Sequence, residues 1–282
     1  MERTRAIDVP VRPAATVMLL RDGDSGLEVF MLQRTHSAAF ARSQYVFPGG
    51  RVDDADHGED LEPVCDGLDD AAASHRLGLE RGGLAWYVAA IRECFEEAGV
   101  LLARPEDGDA LVEFADARVA ERFNTARQRV HDGEGSLVEL CVTERLVLLP
   151  ARLEFVAHWL TPVGESRRFD TRFFMAEAPP SQEPLHDDSE TIASLWVRPS
   201  DALARWKARE LQMFPPTVAS LRELDEHATV ADAMAAAGSI SAPPRLEPRL
   251  LISPEGKFAG IVLPGEDGYD EADPPEYVLG GR

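Results

Sequence analysis

The stretch Arg92-Glu93-Cys94-Phe95-Glu96-Glu97-Ala98-Gly99-Val100 decides how this chain is read. Glu93, Glu96 and Glu97 stand at i, i+3 and i+4, which places three carboxylates on one helical face. Like charges so spaced cost about a few tenths of a kcal/mol per pair unless something positive compensates. A hard divalent cation does so, because Mg²⁺ and Mn²⁺ prefer oxygen ligands. Arg92 can hold one carboxylate in place by a bidentate contact. The pattern from Leu84 to Ala98 is helical and Gly99 supplies the stop. An acidic helix face alone is most often just solvated surface. The surroundings have to decide.

Upstream, apolar runs at Ala14 to Leu20 and Leu27 to Leu32 flank Asp22-Gly23-Asp24-Ser25-Gly26, which reads as a β-hairpin. Phe47-Pro48-Gly49-Gly50 follows as a rigid turn in which glycine lets the backbone come close to a neighbour. Asp53 to Asp70 is rich in acids and has no Lys or Arg, so it reads as a solvated insertion without set structure. Downstream, a strand is expected over Val100–Ala103. Residues 109–148 read as helical throughout, broken at Asp132-Gly133-Glu134-Gly135 and restarted by a capping box of Ser136 with Glu139. Strand signals return at Phe155–Leu160, Arg168–Ala176 and Ile192–Val197. Ser200 is the expected cap of a helix carrying Trp206, Pro215-Pro216 opens another, and a hairpin is expected around Pro254-Glu255-Gly256-Lys257. Strands interleaved with helices make this a mixed α/β chain.

Composition narrows the partners. The 282 residues carry a formal charge of −21, and Lys207 and Lys257 are the only lysines among 29 basic residues. Such a surface repels nucleic-acid backbones and anionic membranes, so neither is expected as a partner. A small anionic substrate is compatible if arginines or a metal focus positive charge locally. Cys65, Cys94 and Cys141 form neither a disulfide framework nor a zinc spacing. No apolar run reaches the ~20 residues of a membrane helix, and the N-terminus has no signal-peptide core. A cytoplasmic protein is expected.

Together the turn and the helix resemble the Nudix hydrolase family, whose box runs Gly, five residues, Glu, seven residues, then Arg-Glu-aliphatic-x-Glu-Glu-x-Gly-aliphatic. Arg92 to Val100 match the second half, with Cys94 at the first aliphatic position, and Gly50 matches the opening glycine. Asp56 falls where the family has its first glutamate, but 35 residues separate it from Arg92. That split box is similar to a branch including the mammalian peroxisomal Nudix CoA diphosphatases. The segments Trp159-Leu160-Thr161-Pro162, Arg167 to Phe174 and Val262-Leu263-Pro264-Gly265 resemble the same branch.

The resemblance implies a Nudix-type α/β/α sandwich with a mixed sheet, a long insertion inside the box and additional helices. Residues 1–210 are the expected Nudix hydrolase domain, with insertions at about 53–83 and about 107–148. Residues 211–282 are an expected helical and hairpin extension packed on the same domain. It further implies cleavage of a nucleoside diphosphate linked to another moiety, with Mg²⁺ or Mn²⁺ as cofactor. Glu96, Glu97 and the Gly50 carbonyl are the implied ligands, Glu93 is a further ligand or orients the water, and Arg92 holds the carboxylates. Arg34 matches a CoA-diphosphatase signature and Arg42 lies three residues from its second arginine; both are candidate phosphate contacts. Glu190, six residues before Trp196, is the candidate distal base. CoA or acyl-CoA is the first expected substrate; ADP-ribose, NADH or a nucleotide sugar is the second. A non-catalytic nucleotide sensor is a third reading, against which stands retention of all three glutamates. A homodimer is left open.

Overall fold

The computed structural model describes residues 4–35, 44–184 and 191–279. β1 (Val11–Gly23) and β2 (Gly26–Arg34) form the expected hairpin, with Gly26 at φ +115° turning the chain. After the short strands β3 (Tyr45–Val46) and β4 (Gly49–Arg51) come helices α1 (Asp70–Leu77) and α2 (Leu84–Ala98). Next are β5 (Ala103–Pro105), α3 (Ala117–His131), α4 (Leu137–Glu144) and β6 (Leu146–Leu148). β7 (Glu154–Leu160), β8 (Arg168–Glu177) and β9 (Thr191–Val197) complete the central strands. α5 (Pro199–Lys207), α6 (Pro215–Leu224), α7 (Val230–Gly238), β10 (Arg245–Leu246) and the hairpin β11 (Arg249–Ile252) with β12 (Phe258–Val262) close the chain.

Eight strands build one sheet in the order β10-β7-β8-β1-β2-β3, with β4 added to β1 and β9 to β2. β1 runs parallel to β8 and antiparallel to β2 and β4, so the sheet is mixed. Alternation along β1 sorts the core. Ala15, Val17 and Leu19 point to the face covered by α2, where Tyr87, Ile91 and Phe95 are buried. Met18 and Leu20 point to the opposite face, against Leu203 of α5, Val218 and Leu221 of α6 and Ala233 of α7. Helices on both faces of a mixed sheet make the α/β/α sandwich. No helix of the described residues is long and apolar enough to cross a membrane.

Several local expectations change. Asp53–Asp70 is ordered, with 3-10 turns at Asp54–His57 and Glu62–Val64. Asp70 at its end accepts the N–H groups of Gly82 (2.9 Å) and Leu84 (3.0 Å), and in α1 Ser74 Oγ accepts that of Gly83 (2.8 Å). α1 thus caps the N-terminus of α2, whose own N-cap residue Gly83 has no side chain to do so. Within 109–148 the helices begin only at Ala117, and Leu146–Leu148 is a strand because it pairs with Ala103–Pro105. That pairing also moves the expected strand at Val100–Ala103 downstream. Ser136 accepts the Glu139 N–H at 3.1 Å, as a cap should. Ser200 does not cap α5; Arg198 takes that position.

Candidate active site

α2 carries the site because its apolar side is fixed. Ile91, Cys94, Phe95 and Ala98 are buried against the sheet, which presents the remaining side to the Phe47–Gly50 turn. Gly99 ends the helix at φ +69°, where its N–H meets the Phe95 carbonyl at 2.9 Å. Only glycine takes that left-handed conformation without strain. Burial pushes the Cys94 thiol far above its ordinary range, so it behaves as a small apolar group.

Arg92 is the hub. Its Nε and Nη2 donate to the two oxygens of Asp56, both at 2.9 Å, and Nη2 also reaches the Arg51 carbonyl at 2.8 Å. Nη1 donates to Glu93 Oε1 at 2.9 Å and to Glu96 Oε1 at 3.0 Å. All five guanidinium N–H groups are therefore engaged. Asp56 is buried and also accepts the Asp53 N–H at 2.8 Å. The acid displaced by the split box thus folds back onto the arginine. It serves as that arginine's anchor.

Gly50 faces Glu93. A Cβ added to Gly50 would run into the Glu93 carboxylate, so glycine makes the approach. Gly49 donates its N–H to Glu97 Oε2 at 2.8 Å, and Arg34 Nη1 lies 3.4 Å from Glu97 Oε1. The structure therefore brings Glu93, Glu96, Glu97, Arg92, Gly50 and Arg34 together. Arg42 and Glu190 lie outside the described residues.

Burial raises the proton affinity of Glu93 and Glu96. Desolvation lifts Glu93 to about 7 against the pull of Arg92, with Glu96 adding repulsion. Glu96 is raised for the same first reason, opposed by Arg92. On Arg92 itself burial works against the charge, but the hydrogen bonds to Asp56 and the charge of Glu93 more than reverse it.

Sequence reasoning missed three contributors. Arg127 Nε donates to the Glu96 carbonyl at 2.8 Å, and His131 Nδ1 lies 3.7 Å from Glu96 Oε2. Both belong to α3, and their i, i+4 spacing was the one signal available. Gln182, buried, clasps Leu101 through its N–H (2.8 Å) and carbonyl (3.1 Å) and the Val112 carbonyl (2.8 Å).

The oxygen set of Glu93, Glu96, Glu97 and the Gly50 carbonyl suits a hard divalent cation chemically. The Gly50 cradle keeps side-chain bulk out of it. Among the described residues, no three Asp, Glu, His or Cys side chains already converge as a metal cage. Arg92, Arg34 and the Gly49 N–H hold the carboxylate oxygens instead.

A carboxylate helix set against a glycine turn on an α/β/α sandwich defines a Nudix hydrolase. The chain belongs to the family described as the NUDT19 Nudix domain, whose profile matches residues 71–224. It is 30% identical over 91% of its length to the acyl-coenzyme A diphosphatase NUDT19 of Gallus gallus, covering 76% of that protein. To the protein of the same name in Xenopus laevis it is 29% identical over 78% of its length, spanning 65% of the relative. A Nudix hydrolase structure from Alicyclobacillus acidocaldarius superposes with a TM-score of 0.67 at 26% identity, covering 84% of this chain and all of that one.

Proposed function

We propose that this Nudix hydrolase is a Mg²⁺- or Mn²⁺-dependent diphosphatase for CoA or acyl-CoA. The observation that carries the reading is the setting of three α2 carboxylates against the glycine turn: Glu93 faces Gly50, Glu97 accepts the Gly49 N–H, and Arg92 holds Glu93 and Glu96. Support for the substrate class comes from the NUDT19 relatives named acyl-coenzyme A diphosphatases.

Glu96, Glu97 and the Gly50 carbonyl would hold the cation. When bound, it supplies positive charge to the diphosphate oxygens and makes water a better nucleophile near neutral pH. Glu93 orients the attacking water through Oε2, since Oε1 is held by Arg92 Nη1, and Glu190 remains the proposed base that takes its proton. Arg34, 18% exposed beside Glu97, is the proposed phosphate contact. Arg92 keeps Glu93 and Glu96 in register, its remaining N–H groups held by Asp56 and the Arg51 carbonyl. Attack on the diphosphate of CoA then yields 3′,5′-ADP and 4′-phosphopantetheine.

The test is a hydrolysis panel of CoA, acetyl-CoA, NADH, ADP-ribose and diadenosine polyphosphates with Mg²⁺ and Mn²⁺. A CoA species should show the highest kcat/KM. NADH or ADP-ribose tenfold above every CoA species would reassign the substrate.

A further inference from the structure

We propose that Arg127 and His131, carried by the inserted helix α3, are positioning residues that fix Glu96 and the last turn of α2 for metal binding. The inference rests on the reading of Glu96 as a metal ligand. It adds a device lying outside the family's sequence box.

The end of a helix leaves carbonyls without intrahelical partners and carries partial negative charge. On α2 that end coincides with the acidic cluster, which aggravates the strain. Arg127 answers it from another element, donating Nε to the Glu96 carbonyl at 2.8 Å. Its guanidinium lies against Gly99, where an added Cβ would stand 3.0 Å from Nη1. The glycine that ends the helix thereby also admits the arginine. One turn further along α3, His131 Nδ1 stands 3.7 Å from Glu96 Oε2, while Arg92 Nη1 holds Oε1 at 3.0 Å. Glu96 is thus hydrogen-bonded at its carbonyl and at Oε1, with the His131 ring alongside Oε2. α3 can hold this geometry because Phe123 and Val130 are buried in the core shared with α2. Groups that orient metal ligands typically affect metal affinity or activity by about 10- to 100-fold.

Three readouts separate positioning from mere anchoring. In the metal-free protein, Arg127→Ala should speed amide exchange at Gly99 and Val100 about tenfold. In a Mn²⁺ titration without substrate, the same variant should raise Kd about tenfold. In turnover it should lower kcat and leave KM near wild type. Arg127→Lys keeps a cationic donor and should recover most of each loss. His131→Gln should raise the Mn²⁺ Kd about threefold without changing exchange at Gly99. Arg122→Ala, which cuts an exposed α3–α4 ion pair with Glu144, should leave all three unchanged.

An Arg127→Ala protein with wild-type Mn²⁺ affinity and kcat overturns the proposal, as does an Arg122→Ala protein showing the same losses. Should Arg127→Ala fail to fold, His131→Gln decides, and a Mn²⁺ Kd unchanged there overturns the proposal. Glu96→Gln keeps the two failures distinct. If it weakens Mn²⁺ binding while the α3 variants do not, only the positioning role falls; if it binds Mn²⁺ like wild type, the ligand reading falls with it.

Discussion

Asp56 and Arg92 meet in a two-pronged contact, 2.9 Å at each N–H···O pair, although 35 residues of chain lie between them. The inserted segment leaves this contact intact and uses its own residues to cap α2. Without the Asp56 charge Arg92 keeps Glu93 and Glu96, but two of its buried N–H groups lose their carboxylate. Asp56→Asn should therefore destabilise the protein by about 1–3 kcal/mol, and kcat should fall as Arg92 loses its anchor. Urea unfolding and steady-state kinetics on one preparation check both.

Gly50→Ala is the most local probe of the glycine cradle. The new methyl would stand 2.6 Å from Glu93 Oε2 and push the carboxylate away. We expect kcat to fall about tenfold or more, because ~1 Å of misplacement near the reacting groups is costly. Thermal melting should show a folded protein. Unchanged turnover would remove Gly50 from the site.

The pH dependence of the metal-free protein follows from Glu93. Its carboxyl is raised from an ordinary 4.5 to about 7, chiefly by desolvation. A raised acid stabilises the fold fully below its unfolded value, and that contribution is lost as pH rises through the folded one. Glu93 stability is thus present below about 4.5 and gone above about 7, and Glu96 works in the same direction. Glu93→Gln should be neutral to the fold at pH 4.5 and stabilising at pH 7.5. The difference in Tm between variant and wild type at those two pH values measures it. A difference that stays flat, or runs the other way, contradicts the burial argument.

Asp70→Ala tests the cap that α1 places on α2. It removes the acceptor of the Gly82 and Leu84 N–H groups and should cost about 1–2 kcal/mol. Loss of stability with kcat near wild type at low temperature is the expected result. A variant as stable as wild type would show the cap to be dispensable.

What was legible in the sequence was local. The hairpin around Asp22–Gly26, the helix ending at Gly99 and the three aligned glutamates each declare themselves within a few residues. The sheet and the second helical layer followed from the resemblance those residues carry. Asp56 looked solvated because its neighbours are acidic, yet it is buried by a partner 36 positions away. Leu146–Leu148 looked helical because its strand state depends on pairing with Ala103–Pro105, which no local pattern encodes. Arg127 and His131 carry no signal of their own in the sequence beyond their spacing, because their role depends on α3 packing over the end of α2.

The most direct test of the central claim is the turnover of Glu97→Gln with saturating Mg²⁺ or Mn²⁺ on the best substrate of the panel. Glutamine keeps an acceptor for the Gly49 N–H, 2.8 Å away in the wild type, and removes the charge that would hold the cation. The expected result is a loss of about 10²-fold or more in kcat with the fold retained. Turnover within a few-fold of wild type would contradict it.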